Sequence, residues 1–221
     1  MNTSPAPRAD IQTIFIIDDH DIVRFGLATL LKSCEQFKVA GTASQLGLGV
    51  QAIADLKPDL VISNMSMNDS KGLDTVRAVV HAQQGRKVLI ISMHDELIYA
   101  EQVIALGAHG YLMKESAQAH VIGASLAVLG GDTWVSQKVS THLLNRIMKR
   151  SRHEPGLASG SPLSVREVEV FEKIGMGKTT KEIAFDLHLS PRTVDIHRAN
   201  IKRKLGLKSG AEVVAFAVSR T

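Results

Sequence analysis

The sequence lacks the features that mark several common classes of protein. It contains a single cysteine, Cys34, so no intramolecular disulfide can form and a reducing, cytoplasmic location is expected. No apolar run reaches the roughly 18 residues of a membrane span, and the first residues contain no apolar stretch typical of a secretory signal. The nine histidines show no zinc-type pairing with cysteine or with one another. Without a nucleotide-binding glycine loop or a Ser-His-Asp arrangement, we expect neither enzymatic activity nor a membrane partner.

Basic residues are concentrated in the last third of the chain. Residues 1–130 hold 10 Lys and Arg against 13 Asp and Glu, whereas residues 161–221 hold 11 against 7. This asymmetry favours a polyanionic partner for the C-terminal part and a different role for the N-terminal part. An ordinary solvated surface can have the same pattern, so charge alone leaves nucleic-acid binding open.

Short apolar runs alternate with longer amphipathic stretches over residues 12–130. The stretches between the runs carry apolar residues three or four positions apart, which predicts helices. Strands alternating with helices predict an α/β fold, a doubly wound five-stranded parallel sheet with helices on both faces. The five predicted strands are Thr13–Ile17, Lys38–Ala43, Leu60–Ser63, Val88–Ser92 and Gly110–Met113.

Polar side chains stand at the ends of four of these strands. Asp18 and Asp19 follow the first strand, Asn64 the third and Lys114 the fifth, while Ser92 ends the fourth. Because the carboxyl ends of parallel strands meet at one edge, we expect these residues to share a crevice. The hard oxygens of two adjacent carboxylates suit Mg²⁺, and a hydroxyl with an ammonium suits the oxygens of a phosphoryl group. The alternative is that the carboxylates only cap a helix.

This arrangement resembles the receiver domain of two-component response regulators over about residues 12–130. The resemblance rests on several motifs taken together, each of which is weak alone. They are the Asp18-Asp19 pair, the run PDLVIS at 58–63, Gly72, Ser92, and Tyr111 three residues before Lys114.

The resemblance implies a flavodoxin-like fold and a site for Mg²⁺ and a phosphoryl group. By analogy with the family, Mg²⁺ is held by Asp18, Asp19, the backbone carbonyl of Ser66 and the side chain at position 64. Phosphoryl binding and switching fall to Ser92, Tyr111 and Lys114. The implied partner is a sensor histidine kinase, and activation is expected to produce a homodimer.

The acceptor position departs from the family pattern. Response regulators of this type carry the phosphate-accepting aspartate where this chain has Asn64, and Asn68 stands where a proline is usual. A carboxamide cannot form the acyl phosphate, because it lacks a nucleophilic carboxylate oxygen. Two explanations remain open. Asn64 is either a deliberate Asp→Asn change that locks the switch off, or the natural residue of an atypical receiver that responds to another ligand or stays in one state.

The chain from Leu163 onward is predicted to be entirely helical. Ser164 with Glu167, and Thr179 with Glu182, form S-x-x-E and T-x-x-E capping boxes. The helix Thr179–Leu187, a short turn and the helix Ser190–Leu205 have the spacing of a helix-turn-helix. We expect a DNA-binding domain over residues 161–221, a linker with one helix of about Val135–Lys149 over residues 131–160, and a flexible N-terminus over residues 1–11.

The second helix of this pair is expected to enter the major groove of double-stranded DNA. Arg and Asn have the donor geometry for base edges, and the lysines at the far end suit phosphates. Its candidate contact residues are Arg192, Thr193, Asp195, Ile196, His197, Arg198, Asn200, Lys202, Arg203 and Lys204.

Residues 162–218 resemble the LuxR-type helix-turn-helix of the NarL/FixJ branch of response regulators. The match includes L-S-x-R-E-x-E-V, K-E-I-A, and S-x-x-T-V-x-x-H followed by N-I-x-x-K-L-G. The resemblance implies a transcription regulator that binds promoter DNA under the control of its receiver domain. A helical module that makes only protein contacts is the alternative.

Overall fold

The computed structural model describes residues 11–151 and 163–220. The predicted flexible N-terminus therefore lies outside the described residues except for Ile11, and so does most of the polar part of the linker. Within the described part of the chain, no helix is long and apolar enough to cross a bilayer.

One parallel sheet organises the N-terminal part, with the strand order β2-β1-β3-β4-β5. All five predicted strands are confirmed, and each differs from its prediction by at most one residue. The third strand extends to Asn64, because Asn64 still pairs with Ile91 of the neighbouring strand. The strands are β1 (Gln12–Ile17), β2 (Phe37–Ala43), β3 (Leu60–Asn64), β4 (Lys87–Ser92) and β5 (Gly110–Met113).

Helices cover both faces of the sheet, as the sequence predicts. Successive side chains of β1 point to opposite faces, so Ile14 packs in one hydrophobic cluster and Phe15 in the other. Two helices lie on the face of Ile14, and three lie on the face of Phe15. The helices are α1 (Asp21–Lys32), α2 (Leu46–Leu56), α3 (Leu73–Gln83), α4 (Glu96–Ala105) and α5 (Ala117–Leu129), with a 3-10 turn at Lys114–Ser116.

The predicted linker helix is present but shifted by two residues, as α6 (Gln137–Ser151). It begins later because Trp134 continues the sheet edge instead of entering the helix. The Trp134 N–H donates to the carbonyl of His109 over 3.0 Å, and its carbonyl accepts from the N–H of Tyr111 over 2.8 Å. The helix then packs against α4, where Lys138 lies 3.7 Å from Glu96.

The C-terminal part is helical, and both predicted capping boxes are confirmed. Ser190 caps the second helix of the helix-turn-helix, and Pro191 occupies the first turn, where a missing N–H costs nothing. The helix predicted over Ser190–Leu205 is observed over Pro191–Lys204, because Ser190 and Leu205 are its capping residues. The helices are α7 (Val165–Gly175), α8 (Thr180–Asp186), α9 (Pro191–Lys204) and α10 (Gly210–Val218).

Candidate functional site

The carboxyl ends of β1 and β5 bring an acidic pair and a lysine together. The side chains of Asp18 and Asp19 are 1% and 8% exposed. The Lys114 ammonium lies 2.8 Å from Asp18 Oδ2, and the other oxygen of Asp18 accepts from the N–H of His20 over 2.9 Å. Both carboxylate oxygens of Asp18 thus have a partner, which allows the charged group to remain buried in the crevice.

Asn64, at the end of β3, forms hydrogen bonds with two of the predicted Mg²⁺ ligands, Asp19 and the backbone carbonyl of Ser66. Its Nδ2 donates to Asp19 Oδ1 over 3.0 Å and also to the backbone carbonyl of Ser66. Both partners are acceptors only, so the NH₂ group must face them. The amide therefore lies between two oxygens that are predicted to bind the metal ion.

The donor atoms of this pocket suit a hard divalent cation. Among the described residues, the ligand atoms of Asp18, Asp19 and His20 lie within 4.8 Å of one another. The carboxylate and carbonyl oxygens fit Mg²⁺, which prefers oxygen ligands. Asn64 fits only after its amide has rotated to present Oδ1. His20 was not among the predicted residues, and its only sequence signal is its position directly after the acidic pair.

Ser92 and Tyr111 reach the pocket through His94, in the loop between β4 and α4. Ser92 Oγ accepts from the His94 N–H over 3.0 Å, and the Tyr111 hydroxyl donates to the His94 carbonyl over 2.8 Å. The His94 imidazole Nε2 lies 2.7 Å from Ser66 Oγ. Burial lowers the pKa of His94 and raises that of Tyr111, so both side chains are uncharged near neutral pH. His94 was not among the predicted residues, and its only sequence signal is its position two residues after Ser92.

The outer face of α9 carries the predicted DNA-contacting residues, and they differ in their surroundings. Arg192, Asp195, Ile196 and Arg203 are exposed, whereas the others are half-buried. The ammonium of Lys204 lies 2.6 Å from the Glu167 carboxylate of α7. Its side chain is therefore engaged within the helical domain.

Two of the half-buried residues lie beside a neighbouring helix. Arg198 and Lys202 line a groove of about 180 Å³ with Gly210 and Val213 of α10. The imidazole of His197 has its Nδ1 buried without a hydrogen-bond partner among the described residues. Three exposed members of the predicted set thus lie in the N-terminal half of α9, the middle of the helix is partly covered, and Arg203 is exposed again near its end.

Two family models match the chain. The model described as response regulator receiver domain matches residues 14–125, and the model described as bacterial regulatory proteins, luxR family, matches residues 161–217. Oxygen regulatory protein NreC of Staphylococcus haemolyticus (strain JCSC1435) is 33% identical over 94% of this chain and 97% of its own length. NreC of Staphylococcus epidermidis (strain ATCC 35984 and its synonyms) is 34% identical with the same coverage.

Solved structures support the fold over the whole chain. RcsB from Salmonella enterica serovar Typhimurium, bound to promoter rprA in the presence of phosphomimetic BeF3⁻, has a TM-score of 0.71 at 21% identity, covering 95% of this chain and 99% of that one. RcsB bound to promoter P1flhDC under the same conditions also has a TM-score of 0.71, at 23% identity, covering 95% and 100%. At these identities the likeness is one of fold.

Proposed function

Because this chain belongs to the response regulators, with a receiver domain followed by a LuxR-type helix-turn-helix, we propose that it is a promoter-binding output protein of a two-component phosphorelay. Phosphorylation by a sensor histidine kinase in the cytoplasm would control its dimerisation and its binding to double-stranded DNA. In the present chain that input is blocked at Asn64.

The bonding of Asn64 is the observation that carries this proposal. Its amide NH₂ donates to Asp19 and to the Ser66 carbonyl, so it supplies positive polarity where the family has a divalent cation. It has no carboxylate to accept a phosphoryl group. The pocket is thus stabilised without an ion, and Mg²⁺ binding must first break both hydrogen bonds. We expect Mg²⁺ to bind weakly in this form.

The remaining residues have the roles that an intact switch requires. Lys114 carries the positive charge that would orient a phosphoryl oxygen, and Asp18 holds that ammonium in place. When bound, Mg²⁺ would neutralise the charge that gathers around an acceptor aspartate. Ser92 and Tyr111 both bind the backbone of His94, so movement of either residue displaces the loop between β4 and α4. We expect this loop to have two conformations, and phosphorylation would shift the equilibrium between them.

The α9 helix would read the promoter with the outer face described above. Arg192, Arg198 and Asn200 have the donors for guanine and adenine edges, and Lys202 and Arg203 suit phosphates. Thr193, Asp195, Ile196, His197 and Lys204 complete the predicted contact set. A homodimer would place two such helices on paired half-sites, which raises affinity beyond that of one domain.

A phosphorylation-independent regulator is the second candidate. One observation favours it, because Arg192, Asp195 and Ile196 are exposed while the receiver and helical domains are in contact. A DNA-reading face that is already open needs no phosphoryl group to uncover it. In this case another ligand would act on the receiver, or the protein would bind DNA constitutively.

The deciding experiment restores the acceptor carboxylate. The solution mass of Asn64→Asp is measured by light scattering with and without Mg²⁺ and beryllofluoride. Asn68→Asp is the matched control, since it adds the same charge to the same loop but not at the acceptor position. Conversion of Asn64→Asp alone to a dimer supports the phospho-switch. If Asn64→Asp remains folded and its mass does not change, the phosphorylation-independent candidate is favoured.

A further inference from the structure

The receiver and helical domains touch through a small set of polar contacts. Arg77 of α3 pairs with Glu169 of α7, and Gln102 of α4 donates to the backbone carbonyl of Leu163. At the other end of the interface, Arg220 pairs with Asp95 at the start of α4. These contacts bring the loops around the acidic pocket against α7 and α10.

Glu172 of α7 lies at the centre of this interface. Glu172 is only 8% exposed to solvent. Its Oε1 atom is buried and has no hydrogen-bond partner within ordinary geometry among the described residues. The carboxyl group occupies the space that a Cβ atom would need at Gly72, so only glycine permits this approach. Gly72 also has a φ of 59°, which other residues rarely adopt. The receiver therefore closes directly over a carboxyl group that has no ion-pair partner among the described residues.

Charged and titratable groups face Glu172 from every side of the contact. Asp74 and Arg77 approach from α3, Tyr99 from α4, and Glu169 and Lys173 lie beside it on α7. The Tyr99 hydroxyl is buried, and burial together with the neighbouring Glu172 carboxyl group raises its pKa, so it stays uncharged. Burial, reinforced by the negative charges of Asp74 and Glu169, raises the pKa of Glu172 to about 8.

Two cavities continue from this point, and both contain charged side chains. Besides the α3 and α7 groups already named, a cleft of about 770 Å³ holds Asp69, Lys71, Arg166, Asp186 and His188 with Glu172 on its wall. A smaller cavity of about 270 Å³ is lined by Glu172 together with Ser66, Lys71, His94 and Val218. Acids and bases are mixed in the cleft, and no described cation lies within salt-bridge distance of Glu172. The ionised carboxylate would therefore be buried without an ion-pair partner.

We propose that the two domains are held together by a clasp that closes only while the Glu172 carboxyl group is uncharged, so that alkaline conditions release the DNA-binding domain. Burying an uncharged carboxyl group beside Gly72 and Tyr99 costs much less than burying a carboxylate that has no ion-pair partner. The clasp acts independently of the acceptor position, and it therefore operates in a chain that carries Asn64.

The direction of the pH effect follows from linkage. Released from the interface, Glu172 titrates near the ordinary value of 4.5, and in the docked form near 8. Docking therefore takes up a proton. It is strongest below pH 4.5, weakens as pH rises toward 8, and loses the contribution of Glu172 completely above that value. Over this window the docking constant falls by up to about tenfold per pH unit.

The test is X-ray scattering of the full monomeric chain from pH 6.5 to 9.5, with the radius of gyration as the readout. The radius is expected to increase with pH in the parent protein. Glu172→Gln has the same shape but cannot ionise, so it should stay compact throughout. Glu35→Gln, an exposed glutamate of the receiver, is the matched control and should expand as the parent does. Circular dichroism checks that each variant remains folded.

The proposal is overturned by either of two outcomes. The first is a parent radius that does not change with pH, and the second is a Glu172→Gln variant that expands over the same range as the parent. Gly72→Ala provides an independent check, because its Cβ would collide with the Glu172 side chain. A folded Gly72→Ala variant should be expanded even at pH 6.5, and a compact one would contradict the contact on which the clasp depends.

Discussion

The Tyr111 hydroxyl donates a hydrogen bond of 2.8 Å to the backbone carbonyl of His94, whose N–H donates to Ser92 Oγ over 3.0 Å. Two residues with predicted switching roles thus bind one residue of the loop before α4. The imidazole of the same residue lies 2.7 Å from Ser66, two positions after Asn64. His94 therefore connects the acceptor position to Tyr111 through direct contacts.

Tyr111→Phe is expected to weaken this connection while leaving the sheet intact. The ring is 1% exposed and remains packed, but the His94 carbonyl loses its donor. The free energy of unfolding should fall by about 1 kcal/mol, the usual value of one such hydrogen bond. Urea denaturation measures this change, and hydrogen exchange should become faster in the loop at His94. A loss above about 3 kcal/mol would mean that packing of the ring, not the hydrogen bond, has been disturbed.

Asn64→Asp should bind Mg²⁺ more tightly than the parent protein. The substitution removes two N–H···O hydrogen bonds that compete with the ion and adds a third carboxylate. We expect the dissociation constant to fall by about tenfold or more, which corresponds to about 1.4 kcal/mol. Isothermal titration calorimetry measures it, with Asn68→Asp as the control for added charge. Equal affinities of the two variants would show that Asn64 does not weaken the site.

Arg198→Ala and Lys202→Ala should affect DNA binding in different ways. Removing a base-contacting arginine costs about 1–3 kcal/mol of specific binding. Removing a phosphate-contacting lysine weakens binding to all DNA sequences alike and lowers the salt dependence of binding by about one unit of slope. Gel-shift titrations on specific and unrelated DNA at several salt concentrations separate these effects. Lys208→Ala, on an exposed residue beyond α9, is the control for loss of one positive charge. Loss of discrimination in the Lys202 variant would reverse the two assignments.

Lys204→Ala should destabilise the helical domain itself. The Glu167 residue is 4% exposed, and its pKa is lowered because hydrogen bonds from Lys204 and Ser164 outweigh the effect of burial. Removing the lysine leaves a buried carboxylate with fewer partners, at a cost of about 1–3 kcal/mol. The contribution of a lowered pKa is present above the unfolded value of 4.5 and disappears as the pH falls through the folded value.

The measurement for Lys204 is thermal unfolding of the parent and Lys204→Ala at pH 7 and pH 3. The difference between them should be clear at pH 7 and smaller at pH 3, because the contribution of the lowered Glu167 pKa declines as the pH falls. Lys208→Ala serves again as the control for a lost surface charge. A difference that persists unchanged at pH 3 would assign the effect to the lysine stem rather than to its charge.

Much of the fold could be predicted because its signals are short in sequence. The apolar runs located all five strands, and the capping boxes at Ser164 and Thr179 located the helices of the C-terminal part. Each signal involves neighbours within a few residues, so its physical effect is already present in the local chain. The start of α6 was predicted two residues early, because Trp134 pairs with the edge of β5, which is distant in sequence.

The candidate site shows the same contrast between local sequence signals and contacts made by residues that are distant in sequence. The sequence identified Asp18, Asp19, Asn64 and Lys114, because residues at the carboxyl ends of parallel strands must gather at one edge. It gave no indication of His94 as the connecting residue, because that role depends on three contacts with other elements. The sequence pattern also placed Lys204 among the predicted phosphate contacts. Its pairing with Glu167 could not be predicted, because the two residues lie on different helices, 37 positions apart.

The sequence alone determined the α/β and helical architecture, the residues that gather in the acidic pocket and the presence of an amide at position 64, since these depend on pattern and on side-chain chemistry. Only the tertiary structure decided what those side chains bind. It directed the Asn64 amide to Asp19, 45 residues away, and buried Glu172 against Gly72 in another domain. Burial and partners from distant parts of the chain set the preferred charge of a group, and they exist only once the chain has folded.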